Sequence, residues 1–200
     1  MSNITVVGID LAKNVFQVHA EDQKGNKIYN RRMKRVQLIK WIERLPRCTV
    51  GMEACGTAHY WGRVFLEKGH QVKLMNPKKV KAFVDRNKND AKDAEAICDA
   101  TRNKKVLSIP VKTVVQQDIT SLHRARSQVV GQRTQVANQL RSQLAEYGLI
   151  TRQGHTALET LAQEVLRGEA IAVSKELLFV VDDLYEELKC LKKRVMGYDA

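Results

Sequence analysis

Long apolar runs are absent from this chain. No stretch approaches the ~20 apolar residues of a membrane-crossing helix, so no membrane partner is expected. The amino terminus shows no basic segment followed by an apolar one, so no signal peptide is expected. The four cysteines, Cys48, Cys55, Cys98 and Cys190, are scattered without CxxC spacing. That excludes a zinc ribbon or a disulfide frame and fits free thiols in a reducing cytoplasm. Aromatic residues make up 6% of the chain, too few for a platform that stacks single-stranded bases. Acidic residues are also short: 22 against 34 Lys and Arg, a net charge of +12. Such an excess makes a field that attracts phosphate, and nucleic acid is the expected partner. Apolar residues, at 44%, suffice for a core. Two hundred residues allow one domain plus an extension, or two small domains.

The first half reads as alternating strand and helix. Ile4–Asp10 is an apolar run ending in an acid, and Cys48–Glu53 is a second one. Val15–Ala20 partly alternates, as a half-buried strand does, and Lys27–Arg31 returns after a turn at Gly25. A helical stripe of Val36, Ile39, Ile42 and Leu45 ends at Pro46. Ala58–Lys68 is a helix closed by Gly69, and Gln71–Met75 is a fifth strand. Asn76-Pro77 starts another helix, with Asn as cap and Pro at the first helical position. The order β-β-β-α-β-α-β-α predicts an α/β fold, a mixed sheet with flanking helices.

The second half predicts long helices. Thr113–Tyr147 contains no proline. Leu177, Val181, Leu184, Leu188, Leu191 and Val195 step by four and three, the seam of a short coiled coil or helical hairpin. The expected division is residues 1–110 for the α/β domain and 111–200 for an α-helical coiled-coil extension.

Four acids carry the chemistry: Asp10 and Glu53 at strand ends, and Asp90 and Asp93 three apart in an alanine-rich helical stretch. Taken singly, each has an ordinary reading. Asp10 could be a turn or cap residue, Glu53 a solvated strand end, and the Asp90–Asp93 pair first-turn charges favoured by the helix dipole. Jointly they match a site for Mg²⁺, which wants hard oxygen ligands. Two such ions about 4 Å apart can activate one oxygen and stabilise another in phosphodiester cleavage.

Gly8-Ile9-Asp10-Leu11-Ala12-Lys13 resembles the opening GIDvsK motif of the DEDD-type insertion-sequence transposases, the family of the pilin-gene invertase Piv and the bridge-RNA-guided recombinases. Met52-Glu53-Ala54-Cys55-Gly56 resembles its EATG motif. Asn76-Pro77 and Lys88-Asn89-Asp90-Ala91-Lys92-Asp93-Ala94 resemble its NP and KTDxxDA motifs. Cys55 and Asn89 replace the usual threonines. The resemblance implies a RuvC-like, ribonuclease-H-like fold with Asp10, Glu53, Asp90 and Asp93 as catalytic Mg²⁺ ligands, Mn²⁺ substituting. It implies cleavage and transfer of the element's DNA in the bacterial cytoplasm, at the nucleoid, with a guide (bridge) RNA in some members. The family also carries a C-terminal domain with a nucleophilic serine; no serine here matches that motif, so the domain is expected to be absent.

Basic residues surround the acids: Lys73, Lys78, Lys79, Lys81, Arg86, Lys88 and Lys92. Arg124, Arg126, Arg133 and Arg141 line the long helix with few acids nearby. Both sets are candidate backbone contacts for DNA or RNA, against the alternative of solvated helix faces. His59 is a candidate substrate contact or a satisfied core histidine. The helical extension is expected to form a homodimer or higher oligomer. Rival functions are a Holliday-junction-resolvase-like nuclease and a non-catalytic nucleic-acid-binding dimerisation fragment.

Overall fold

The computed structural model describes residues 3–84 and 90–200, with Asp90 placed by its backbone alone. The chain divides into two compact units, residues up to Val115 and residues from Gln116.

The first unit is built on five strands: β1 (Val6–Asp10), β2 (Val15–Glu21), β3 (Lys27–Lys34), β4 (Thr49–Glu53) and β5 (Gln71–Met75). Their order is β3-β2-β1-β4-β5. The pairs β1–β2 and β2–β3 are antiparallel, while β1–β4 and β4–β5 are parallel. Short turns suffice for the first two hairpins. The β2–β3 turn is tied by Asp22, whose carboxylate accepts from the Lys24 and Asn26 amides, and Gly25 takes φ 88°. The parallel strands need crossovers, supplied by α1 (Arg35–Ile42) and α2 (Ala58–Glu67).

The two faces of the sheet differ in chemistry. Val7, Ile9, Phe16, Val18, Val50 and Met52 form one face, packed with Leu38, Ile42, Trp61 and Phe65 of α1 and α2 into the main core. The α1 stripe holds except at its first residue. Val36 is 63% exposed, and Leu38, Trp41 and Ile42 face the core. Of the expected stripe, Ile42 and Leu45 are buried and Ile39 packs against the core, so Val36 is the member that turns outward.

The other face is covered by α4 (Asp90–Arg102). A short helix α3 (Pro77–Val80) and a 3₁₀ turn precede it; Asn76 caps α3 by accepting from the Lys78 amide at 2.9 Å. The helix α4 lies so close that glycine is required beneath it. A Cβ on Gly8 would stand 2.3 Å from the Ala94 carbonyl oxygen, and one on Gly51 would stand 1.7 Å from Thr101 Oγ1. Lys73 closes its far end, donating from Nζ to the carbonyls of Ala100, Thr101 and Asn103 at 3.4, 2.9 and 2.9 Å. These are carbonyls that a helix end leaves without intrahelical partners.

The second unit holds α5 (Val114–Ala145), α6 (His155–Leu166) and α7 (Lys175–Asp199). The α7 seam is buried within this unit: Leu177, Val181, Leu184, Leu188, Leu191 and Val195 pack with Val129, Val136, Leu140, Leu158 and Ala162. On α5, Val129, Val136 and Leu140 are buried, whereas Ile119 and Leu122 are 48% and 56% exposed. Among the described residues, no helix is long and apolar enough to cross a membrane.

Candidate functional site

The strands β1 and β4 run parallel and adjacent, in register from Val6 opposite Thr49 to Ile9 opposite Met52. Their last residues, Asp10 and Glu53, therefore finish side by side at one end of the sheet, on strands about 4.8 Å apart. Alternation from Gly8 and Gly51 turns both toward the α4 face. The helix begins at that same end. Its Ala94 carbonyl sits over Gly8, two residues before Asp10, and Thr101 sits over Gly51. Asp93, one residue before Ala94, thus arrives at the end of the sheet where Asp10 stands. Asp10, Glu53 and Asp93 are all half-buried. Asp90 opens α4, one turn before Asp93, and its side chain lies outside the described residues.

Asp93 Oδ1 is fully buried and has no hydrogen-bond partner among the described residues. An unsatisfied carboxylate oxygen costs free energy unless something electropositive meets it. Hard oxygen donors of this kind, from two neighbouring strand ends and the helix above them, are what Mg²⁺ or Mn²⁺ takes, although among the described residues the ligand-type atoms that gather within 4.8 Å of one another are those of another cluster, His19, Glu21 and Cys98.

An open cleft of ≈ 400 Å³ adjoins Asp10, lined also by Ala12, Lys13, Asn14, Val15, Gln17 and Arg32. Lys13 and Arg32 bring positive charge to the edge of the acid cluster; Lys13 closes the motif that begins at Gly8, but the sequence alone assigns neither residue a role. Arg32 comes from β3, opposite Gln17 in the β2–β3 register, so only the hairpin pairing reveals it.

The other basic candidates separate. Lys78, Lys79 and Lys81 are exposed after β5, and Lys92 is half-buried on α4. Arg86 and Lys88 lie outside the described residues. Lys73 is committed to the end of α4, and burial lowers its pKa. In the second unit Arg124 is exposed. Arg126 donates to both Asp199 carboxylate oxygens at 2.6 and 3.3 Å, which raises its pKa and lowers that of Asp199. Arg133 has a buried Nε without a partner among the described residues, and Arg141 donates to the Gly154 carbonyl at 2.8 Å. His59 accepts from the Lys112 amide through Nδ1 at 3.2 Å, a structural role.

A second polar cluster lies beneath α4. His19, Glu21 and Cys98 are buried with ligand-type atoms within 4.8 Å of one another. Its chemistry favours a hydrogen-bond network over a cation. Arg102 Nε donates to Glu21 Oε2 at 2.7 Å, already matching that charge. Burial, reinforced by Glu21, drives the Cys98 pKa far upward, so it stays a thiol, and it donates to the His19 carbonyl at 3.5 Å. Asp99, on the outer side of α4, is also raised, by burial first and then by Glu21 and Glu95.

Comparison with known proteins gives one consistent answer. A family profile described as "Transposase", of the DEDD type found in IS110 elements, matches residues 7–149. The "Probable family 20 transposase" of Pseudomonas aeruginosa is 42% identical over 194 residues, 96% of this chain and 57% of that protein. The transposase for insertion sequence element IS1328 of Yersinia enterocolitica is 40% identical, over 81% of this chain and 48% of that protein. The transposase for insertion sequence element IS1111A of Coxiella burnetii is 38% identical, over 100% of this chain and 55% of that protein. The chain spans about half the length of the curated relatives it matches.

Proposed function

This chain belongs to the DEDD transposase family of IS110-type insertion elements, and from that premise we propose that it is the acid-bearing catalytic part of a DNA transposase or site-specific recombinase. The observation that carries this reading is the buried Asp93 Oδ1, without a hydrogen-bond partner among the described residues, on the helix over the strands that end in Asp10 and Glu53. Asp10, Glu53 and Asp93, with Asp90 one turn earlier, would hold Mg²⁺, Mn²⁺ substituting. When bound, the metal would supply activation of an oxygen nucleophile and charge stabilisation at the leaving oxygen of a phosphodiester. Lys13 and Arg32 would hold the DNA backbone in the cleft beside Asp10. The strand order β3-β2-β1-β4-β5, with β2 antiparallel to its neighbours, supports a ribonuclease-H-like (RuvC-like) fold for the first unit.

Nucleic acid is the partner this surface suits. DNA is the substrate, and a guide RNA would use the same backbone chemistry at Lys78, Lys79, Lys81, Lys92, Arg124 and Arg133. The α7 seam is occupied inside its own unit. A homodimer through the helical extension, coiled-coil or otherwise, would therefore use the exposed Ile119 and Leu122 of α5.

The test is DNA strand cleavage by the full-length protein. Asp10→Asn and Asp93→Asn should each abolish it while leaving salt-sensitive DNA binding in place. Cleavage that survives both substitutions contradicts the assignment. Cutting of four-way DNA by this chain alone would favour a junction-resolving nuclease instead.

A further inference from the structure

The face of the sheet beneath α4 is polar where a core would be apolar. Gln17, His19 and Glu21 alternate along β2 on that face and are 7%, 1% and 4% exposed. Burying three such side chains costs free energy unless each is satisfied. They are satisfied as one ladder whose hub is Asn30 on β3. The Asn30 carbonyl oxygen accepts from Gln17 Nε2. Its amide nitrogen donates to His19 Nδ1 at 3.1 Å and to the Ala91 carbonyl oxygen at 3.4 Å. His19 Nε2 then donates to Glu21 Oε1 at 3.1 Å, and Glu21 Oε2 accepts from Arg102 at 2.7 Å.

The two ends of this ladder grip the two ends of α4. Arg102 is the last residue of that helix, and Ala91 is in its first turn, between Asp90 and Asp93. An apolar face would let the helix slide or roll with little penalty, because burial is non-directional. Hydrogen bonds fix both its height and its rotation. Metal ligands need that definition, since partners behind the ligands set their orientation and tune affinity.

We propose that Asn30 is a positioning residue that pins the first turn of α4, and with it Asp90 and Asp93, to the sheet. The metal consequence rests on the function proposed above; the pinning itself does not.

Amide hydrogen exchange on this chain separates the two. In Asn30→Ala and in the near-isosteric Asn30→Asp, which cannot donate to Ala91, the Ala94 and Glu95 amides should exchange about three- to tenfold faster. The β1 and β4 amides should be unchanged. Mn²⁺ affinity, measured on the same samples, should fall about tenfold or more. Unchanged exchange at Ala94 and Glu95 overturns the proposal, as does acceleration spread evenly over the sheet, which would mark Asn30 as a general stabiliser. Faster exchange confined to α4, in a chain whose unsubstituted form takes up no Mn²⁺, upholds the pinning and rejects the metal reading.

Discussion

Replacing Gly8 by alanine tests how closely α4 is bound to the acid-bearing strands. Without a clash, Gly→Ala in a strand would stabilise by about 0.4–1 kcal/mol, because the unfolded chain has fewer conformations to lose. Here the new Cβ would meet the Ala94 carbonyl oxygen at 2.3 Å and the Cys98 amide nitrogen at 2.7 Å. Both obstacles are backbone, so no side chain can swing away. Real Cβ atoms keep at least 3.0 Å from such neighbours, so the Ala94 carbonyl must retreat by 0.7 Å or more. Overpacking of this kind costs about 1–3 kcal/mol. Because both obstacles are backbone, the cost falls in the upper part of that range and the net loss is about 1–2 kcal/mol, read as a Tm lower by about 2–8 °C at about 2–4 °C per kcal/mol for a chain of this size. The retreat also carries Asp93 away from Asp10. Metal sites tolerate errors of only about 0.2 Å in ligand distance, so Mn²⁺ affinity should fall more than tenfold by calorimetry. Gly56→Ala, where a Cβ meets nothing within 4 Å, is the control: stability should not fall, and should rise by no more than about 0.4–1 kcal/mol, with Mn²⁺ affinity unchanged. A Gly8→Ala protein as stable as the unsubstituted chain would refute the close approach.

Other consequences are as specific. Lys73→Met leaves the carbonyls of Ala100, Thr101 and Asn103 without their donor and should cost about 1–3 kcal/mol in a denaturant titration. His70 is buried, accepts from the Cys48 amide and donates to the Ile42 carbonyl, and burial lowers its pKa from 6.5. The unfolded chain therefore binds a proton more readily. Stability contributed by neutral His70 is complete above pH 6.5 and declines as pH falls toward the lower folded value; His70→Gln should flatten that decline in urea titrations at pH 5 to 7. Lys13→Ala and Arg32→Ala should each weaken DNA binding and reduce its salt dependence by about one counterion, with Mn²⁺ affinity held within twofold. A salt slope identical to that of the unsubstituted chain would remove these residues from the interface.

Much of the first unit was legible in the residues. Apolar runs ending in Asp10 and Glu53 mark strands, and Gly25, Gly69 and Asn76-Pro77 mark their turns and caps. These are local signals, fixed by backbone sterics and capping chemistry. What stayed hidden depends on long-range pairing. Gly8 and Gly51 look like weak strand residues until α4 is seen to cross them. Arg32 is an ordinary edge-strand cation until the β2–β3 register sets it opposite Gln17. Lys73 reads as one more surface cation until it meets the end of α4. The helix α6, with Leu158, Ala162 and Val165 buried, is short, and its apolar pattern spans fewer turns than those of the two longer helices. The α7 seam was read correctly as apolar, but heptad spacing alone does not say whether its partner lies in the same chain.

Calorimetric titration of Mn²⁺ into this chain and into its Asp10→Asn and Asp93→Asn variants tests the central claim most directly. The account predicts saturable binding to the unsubstituted chain and its loss in both variants, with Tm in the absence of metal little changed. Binding that persists undiminished in both variants would mean that the acids at the end of the sheet do not form the metal site.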